Sequence, residues 1–117
     1  MTPFGARLRE IREARGMTLK SMAAAIGVSP AYLSALEHGR RGRPTWDLLQ
    51  RIIGHLNIIW DEAEELERLA DLSHPRVVID TEGLSPKATE LANRLAERIG
   101  SLDEGTLDRL IDLVGKR

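Results

Sequence analysis

With 117 residues, the chain has room for one compact domain, or for a small domain with an appendage. It holds no cysteine and only four aromatic residues, Phe4, Tyr32, Trp46 and Trp60, so disulfides and cysteine-held zinc are excluded and the core must be aliphatic. The net charge of −1 conceals a division: residues 1–45 carry eight basic side chains against three acidic ones, a balance of +5, while residues 46–117 carry nine against fifteen, a balance of −6. A polyanion would be attracted to one end of such a molecule and repelled from the other.

In chain order, Thr2-Pro3 reads as the N-cap and first position of a helix with Phe4, Leu8, Ile11 and Ala14 on one face, stopped at Gly16. The arginine-rich start has no continuous apolar segment, and no later run approaches the ~20 apolar residues of a membrane span. Neither a secretory signal nor membrane contact is expected, and the location expected is cytoplasmic. Thr18 caps a second helix over about 19–26, and Ser29-Pro30 opens a third that ends at His38-Gly39. Gly39-Arg40-Arg41-Gly42-Arg43-Pro44 is a basic turn, because two glycines and a proline interrupt any helix. Thr45 caps a fourth helix with Trp46, Leu48, Leu49, Ile52, Ile53 and Leu56 expected inward, ending near Asn57. A fifth, about 60–72, places Ala63, Leu66, Leu69 and Ala70 inside and crowds acids into its first turn, where the helix dipole favours them.

Composition changes at Ser73-His74-Pro75. Arg76-Val77-Val78-Ile79-Asp80 is a β-branched run that predicts a short strand, which would need a partner edge. Ser85-Pro86 starts a sixth helix with Ala88, Leu91, Ala92, Leu95 and Ile99 on one face, closed by Gly100. Ser101 with Glu104 reads as a capping box for a seventh carrying Leu107, Leu110, Ile111 and Val114. Two amphipathic helices bury little against each other, and a second copy of the chain is the simplest surface for their stripes. The fold class expected is mainly all-α. Five helices form a first domain at 1–72, and one strand with two helices forms a dimerisation region at 73–117. Val77, Val78, Ile79, Leu91, Leu95, Ile99, Leu107, Leu110, Ile111 and Val114 are its candidate contacts.

Within the first domain, Leu19 to His38 contains the spacing of a DNA-binding helix-turn-helix. Ala23 is small enough for a close helix crossing, Gly27 suits a turn at positive φ, and Leu33 fills the core six residues later. The wider pattern adds Leu8-Arg9-Glu10-Ile11-Arg12, Gly16-Met17-Thr18, Leu36-Glu37-His38-Gly39-Arg40 and Pro44. With these motifs, residues 4–70 resemble the lambda-repressor/Cro type of regulator, the XRE family. The resemblance implies a five-helix DNA-binding fold, an ion pair between Arg12 and Glu37, and a homodimer on double-stranded, near-palindromic operator DNA. A nucleoid-associated location goes with it.

Carried onto this chain, the family's base-reading positions are Ser29, Pro30, Ala31, Tyr32, Ser34 and Ala35. The chain departs from the family here. Proline and alanines cannot make bidentate hydrogen bonds to a base edge, and Leu19 stands where relatives often have glutamine. Readout then leans on Tyr32, on hydroxyls, on thymine methyl contacts and on DNA shape. Tyr32 has a second reading, as a ring packed against the second helix. Arg40, Arg41 and Arg43, with Thr18 and Lys20 at a helix start, are the candidates for phosphate contact.

His38, His55 and His74 lie far apart without acidic companions, so no metal site is expected. No cofactor motif or catalytic constellation is present, and an enzyme is not expected. The function expected is sequence-specific transcriptional repression. The alternative is the antitoxin of a toxin–antitoxin pair, whose tail would mask a toxin partner; such tails are often disordered until bound, whereas this one has caps, stops and apolar stripes.

Overall fold

In the computed structural model, which describes residues 1–115, each of the first four helices starts at a hydroxyl that accepts a backbone N–H. Thr2 caps α1 (Pro3–Ala14), Thr18 caps α2 (Leu19–Ile26), Ser29 caps α3 (Pro30–Glu37) and Thr45 caps α4 (Trp46–His55). These bonds run at 3.0–3.2 Å and satisfy donors that a helix start otherwise leaves to water. All four helices also end alike. Two N–H groups turn back onto carbonyls of the last turn, for α2 Val28 to Ala23 and Gly27 to Ala24. Asn57 takes the left-handed position after α4, at φ 52°. α5 (Trp60–Asp71) has no side-chain cap, but Asp61 and Glu62 occupy its first turn.

The chain divides into two compact units, the first being Met1–Val77. In it α1 lies against α3 and α5, and α2 against α3 and α4. The core is aliphatic apart from Phe4. Leu8, Met22, Ile26, Leu33, Leu36, Ile52 and Leu66 are at or near zero exposure. α1 crosses the end of α3 backbone to backbone: a Cβ on Gly5 would lie 2.5 Å from the Leu36 carbonyl oxygen and 2.6 Å from that of Glu37. Ser73, 1% exposed, closes the unit. Its Oγ accepts from Phe4 N at 2.9 Å and donates to the Leu69 carbonyl at 2.6 Å.

The second unit, from Val78 onward, contains α6 (Pro86–Arg98), a 3-10 turn (Ile99–Ser101) and α7 (Glu104–Gly115). None of its described residues is buried.

Three expectations need correction. No strand is present among the described residues: Arg76 lies in a bend, residues 77–80 form no regular element, and Val78 is 93% exposed. β-branched residues favour a pleated, half-buried surface, and a lone segment has no neighbouring edge to create one. Asp80 instead uses a carboxylate oxygen to accept Glu82 N at 2.9 Å, opening the turn that leads into α6. The cap of α7 is Asp103, which accepts from Thr106 N at 2.7 Å, because Ser101 is taken up in the 3-10 turn. Trp46 is 59% exposed: it is the first residue of α4, ahead of the buried Leu48, Leu49 and Ile52 that pack the helix.

Candidate nucleic-acid interface

The helix pair α2–α3 is fixed by its own crossing and turn and by arginines from α4 and α1. Ala23 is fully buried at the crossing, and Gly27 holds φ 76° in the turn, a conformation that costs an L-residue strain. Arg51 of α4 donates to the Ile26 carbonyl at 3.0 Å, tying the last turn of α2 to the core. Arg12 spans from α1 to the end of α3. Its Nε and Nη2 donate to Glu37 Oε2 and Oε1 at 2.8 and 3.1 Å, and its Nη1 donates to the Met17 carbonyl at 3.1 Å. The Glu37 side chain is 2% exposed and that of Arg12 15%. The hydrogen bonds to Glu37 raise the pKa of the Arg12 guanidinium above arginine's ordinary value, against the opposing effect of burial. The pair that the resemblance implied is therefore present, and it fixes where α3 points.

On the outward side, Ser29, Pro30 and Ala31 are exposed, and Tyr32, Ser34 and Ala35 are half-buried. Tyr32 packs its body on the edge of the core, as its second reading has it, while the residue keeps an accessible surface. Thr18 and Lys20 are exposed at the start of α2. Past α3, the His38 Nδ1–H donates to the Ser34 carbonyl at 2.7 Å, and the basic turn begins.

The three turn arginines, alike in sequence, have different surroundings. Arg40 is exposed and makes no ion pair among the described residues. Arg41 lies over the Tyr32 ring, its guanidinium carbon 5.2 Å from the ring centre. Arg43 is bound to Asp71 of α5, Nη2 to Oδ1 at 2.6 Å. Gly42 between them is buried at φ 67°, and a Cβ there would lie 2.9 Å from Pro75 Cδ. The turn is thus built into the first unit rather than hanging from it.

Sequence reasoning passed over Arg51, Asp71, Ser73 and Gly5. Arg51 did carry a signal, as the sole basic residue between Trp46 and Glu67. Gly5 sits inside a helical pattern and carried none. The remaining residues singled out lie in or next to the second unit. Val77, Val78 and Ile79 are exposed, as are Leu91, Ile99, Ile111 and Val114, while Leu95, Leu107 and Leu110 are half-buried. Among the described residues no three His, Asp or Glu side chains converge as a metal-holding group, and no helix is long and apolar enough to cross a membrane.

A family model described as a helix-turn-helix domain matches residues 3–66. Similar curated proteins include an uncharacterised HTH-type transcriptional regulator, RghRB, and the HTH-type transcriptional repressor RghR, both of Bacillus subtilis. Each is 36% identical over 61 residues, 52% of this chain and 44% and 45% of theirs. The HTH-type transcriptional regulator DdrOP3 of Deinococcus deserti is 41% identical over 66 residues, 56% of this chain and 50% of its own. The chain spans about half the length of the curated relatives it matches. Among solved structures, a chain of the SinR protein/SinI protein complex aligns over 96% of this chain and 94% of its own, with 20% identity and a TM-score of 0.47.

Proposed function

The chain belongs to the helix-turn-helix domain family, and from that premise we propose that it is an XRE-type transcriptional regulator working as a dimeric repressor, not as an enzyme, on near-palindromic operator DNA in the bacterial cytoplasm. The observation that carries this reading is the arrangement of α3. Its start and outer face are accessible, its inner face and far end are locked by Leu33, Leu36 and the Arg12–Glu37 pair, and the basic turn follows directly. A helix so held can enter the major groove as a fixed object, with arginines beside it for the backbone.

The reading face offers no side chain for a bidentate base contact. Recognition then combines Tyr32, the Ser29 and Ser34 hydroxyls and alanine contacts to thymine methyls with the deformability of the site. Thr18 and Lys20 at the start of α2 and Arg40 after α3 take phosphates. The domain limits we propose are those of the helix-turn-helix unit and a dimerisation region formed by the apolar faces of α6 and α7. The antitoxin alternative has less support, since toxin-masking tails are often disordered until bound, whereas this tail forms α6, a 3-10 turn and α7.

The experiment is selection of duplexes from a randomised library by the full chain. Enrichment of a near-palindrome with half-sites about one helical turn, ~34 Å, apart is expected. Enrichment of a single unrepeated half-site would overturn the dimeric reading, and recovery of random sequence would overturn specific recognition.

A further inference from the structure

Arg41 faces two ways. As a cation beside α3 it attracts phosphate, yet its guanidinium is turned back over Tyr32, 5.2 Å from the ring centre. A guanidinium within about 6 Å of an aromatic centroid is attracted by the ring's negative face, and its plane stacks in a way an ammonium cannot match. The turn's backbone favours this placement. Gly42 is buried against Pro75 and Arg43 is tied to Asp71, so the residue next to Arg41 in sequence has a fixed position.

Tyr32 is by far the largest side chain on the reading face, where its neighbours are serine, proline and alanine. One part of the ring rests on the core, and Arg41 covers part of what remains. A ring held this way presents its hydroxyl in one direction before DNA arrives, and less conformational freedom is lost on binding.

We infer that Arg41 is a specificity-determining positioning residue, which orients Tyr32 for base reading by stacking on it, and that phosphate attraction is not its main contribution. The inference rests on the reading of α3 as the base-reading helix. It also divides the turn: Arg43 holds the turn to α5, Arg41 sets the reader, and Arg40 is left for the backbone of the DNA.

The test uses the full chain, a duplex enriched from a randomised library by the unaltered protein, and a random duplex of equal length. Arg41→Ala should weaken binding to the enriched duplex by about two- to fivefold more than binding to the random one. In a Tyr32→Leu background, which keeps apolar volume against the core but removes the ring, that extra loss should vanish. Arg41→Lys should preserve random-duplex affinity and salt dependence while losing most of the enriched-duplex advantage. Equal losses on both duplexes, the same extra loss in the Tyr32→Leu background, or full recovery by lysine would each overturn the inference. Arg40→Ala separates this failure from that of the underlying reading: if Arg40→Ala and Tyr32→Leu both leave enriched-duplex binding unchanged, α3 is not the reader and both fall.

Discussion

The Arg12–Glu37 pair joins two helices through a carboxylate that is almost wholly removed from water. Such a pair contributes little net stability over a well-packed apolar replacement, but losing one partner leaves a buried charge unmatched. Arg12→Met should cost about 3–5 kcal/mol in urea unfolding, because it leaves the buried Glu37 carboxylate unmatched, whereas Arg12→Met with Glu37→Leu should recover most of it while altering the angle of α3 and hence DNA affinity. The raised Arg12 pKa confers no pH dependence in ordinary buffers. Stability from a base with a raised pKa is fully present below arginine's ordinary value and is lost only above it. The turn arginines yield a second expectation. Arg40→Ala should flatten the log–log salt dependence of DNA binding by about 0.9, one phosphate contact. Arg43→Ala should change it less, since Asp71 already neutralises that side chain. Equal slopes for the two variants would show that the ion pair opens on DNA. At this scale residue type was legible and surroundings were not. Three arginines in a glycine-rich turn look equivalent until Asp71, 28 residues beyond Arg43, is brought beside one of them.

Helix existence and order follow from caps and periodicity, which are local, and so Thr2, Thr18, Ser29, Thr45 and Ser85 could be read directly. What local pattern cannot express is the distance between elements. Gly5 is an unremarked position inside α1, yet it is where α1 and α3 touch. Gly5→Ala should destabilise the first unit by about 1–3 kcal/mol, because carbonyl oxygens of a packed helix cannot yield as a flexible side chain would; thermal unfolding of the full chain checks it. The β-branched run at 76–80 failed for the related reason that a strand is a property of two segments. The start of α7 was misassigned because the 3-10 turn takes up Ser101, leaving Asp103, which the capping-box pattern passed over, to cap the helix. Asp103 now carries a pH signature. Its hydrogen bonds from Thr106, first the backbone N–H and then the hydroxyl, lower its pKa below the usual carboxylate value. The stability it confers on α7 is therefore complete above about pH 4 and declines as pH falls through the lowered value. Acid titration of helicity should lose this component in Asp103→Asn, which still caps but no longer titrates. An identical acid profile in that variant would remove Asp103 as its origin.

The molecule as a whole consists of a unit with a buried core and a unit without one. α6, the 3-10 turn and α7 leave Leu91, Ile99, Ile111 and Val114 each more than half exposed, although serine and aspartate caps commit both helices to form. Apolar stripes on well-capped helices favour cover, and the dimerisation proposed above would supply it. The first unit has its own core, and it extends to Val77 because Ser73 and Pro75 are part of its packing. A chain shortened to residues 1–77 should therefore fold alone and be more stable than one ending at Leu72 by about 1–3 kcal/mol, since the shorter cut removes the buried Ser73 hydroxyl from Phe4 N. The 1–77 fragment should sediment as a monomer and the full chain as a dimer at micromolar concentration, with Leu91→Asp plus Ile111→Asp returning the full chain to monomer without shifting the unfolding of the first unit. Affinity should follow the same order. Two linked α3 helices engage half-sites about 34 Å apart in one event, whereas separate units must each bear the loss of translational and rotational freedom on binding. If the full chain sediments as a monomer free of DNA, or if the 1–77 fragment binds the enriched near-palindrome as tightly as the full chain does, the apolar faces of α6 and α7 serve some partner other than a second copy.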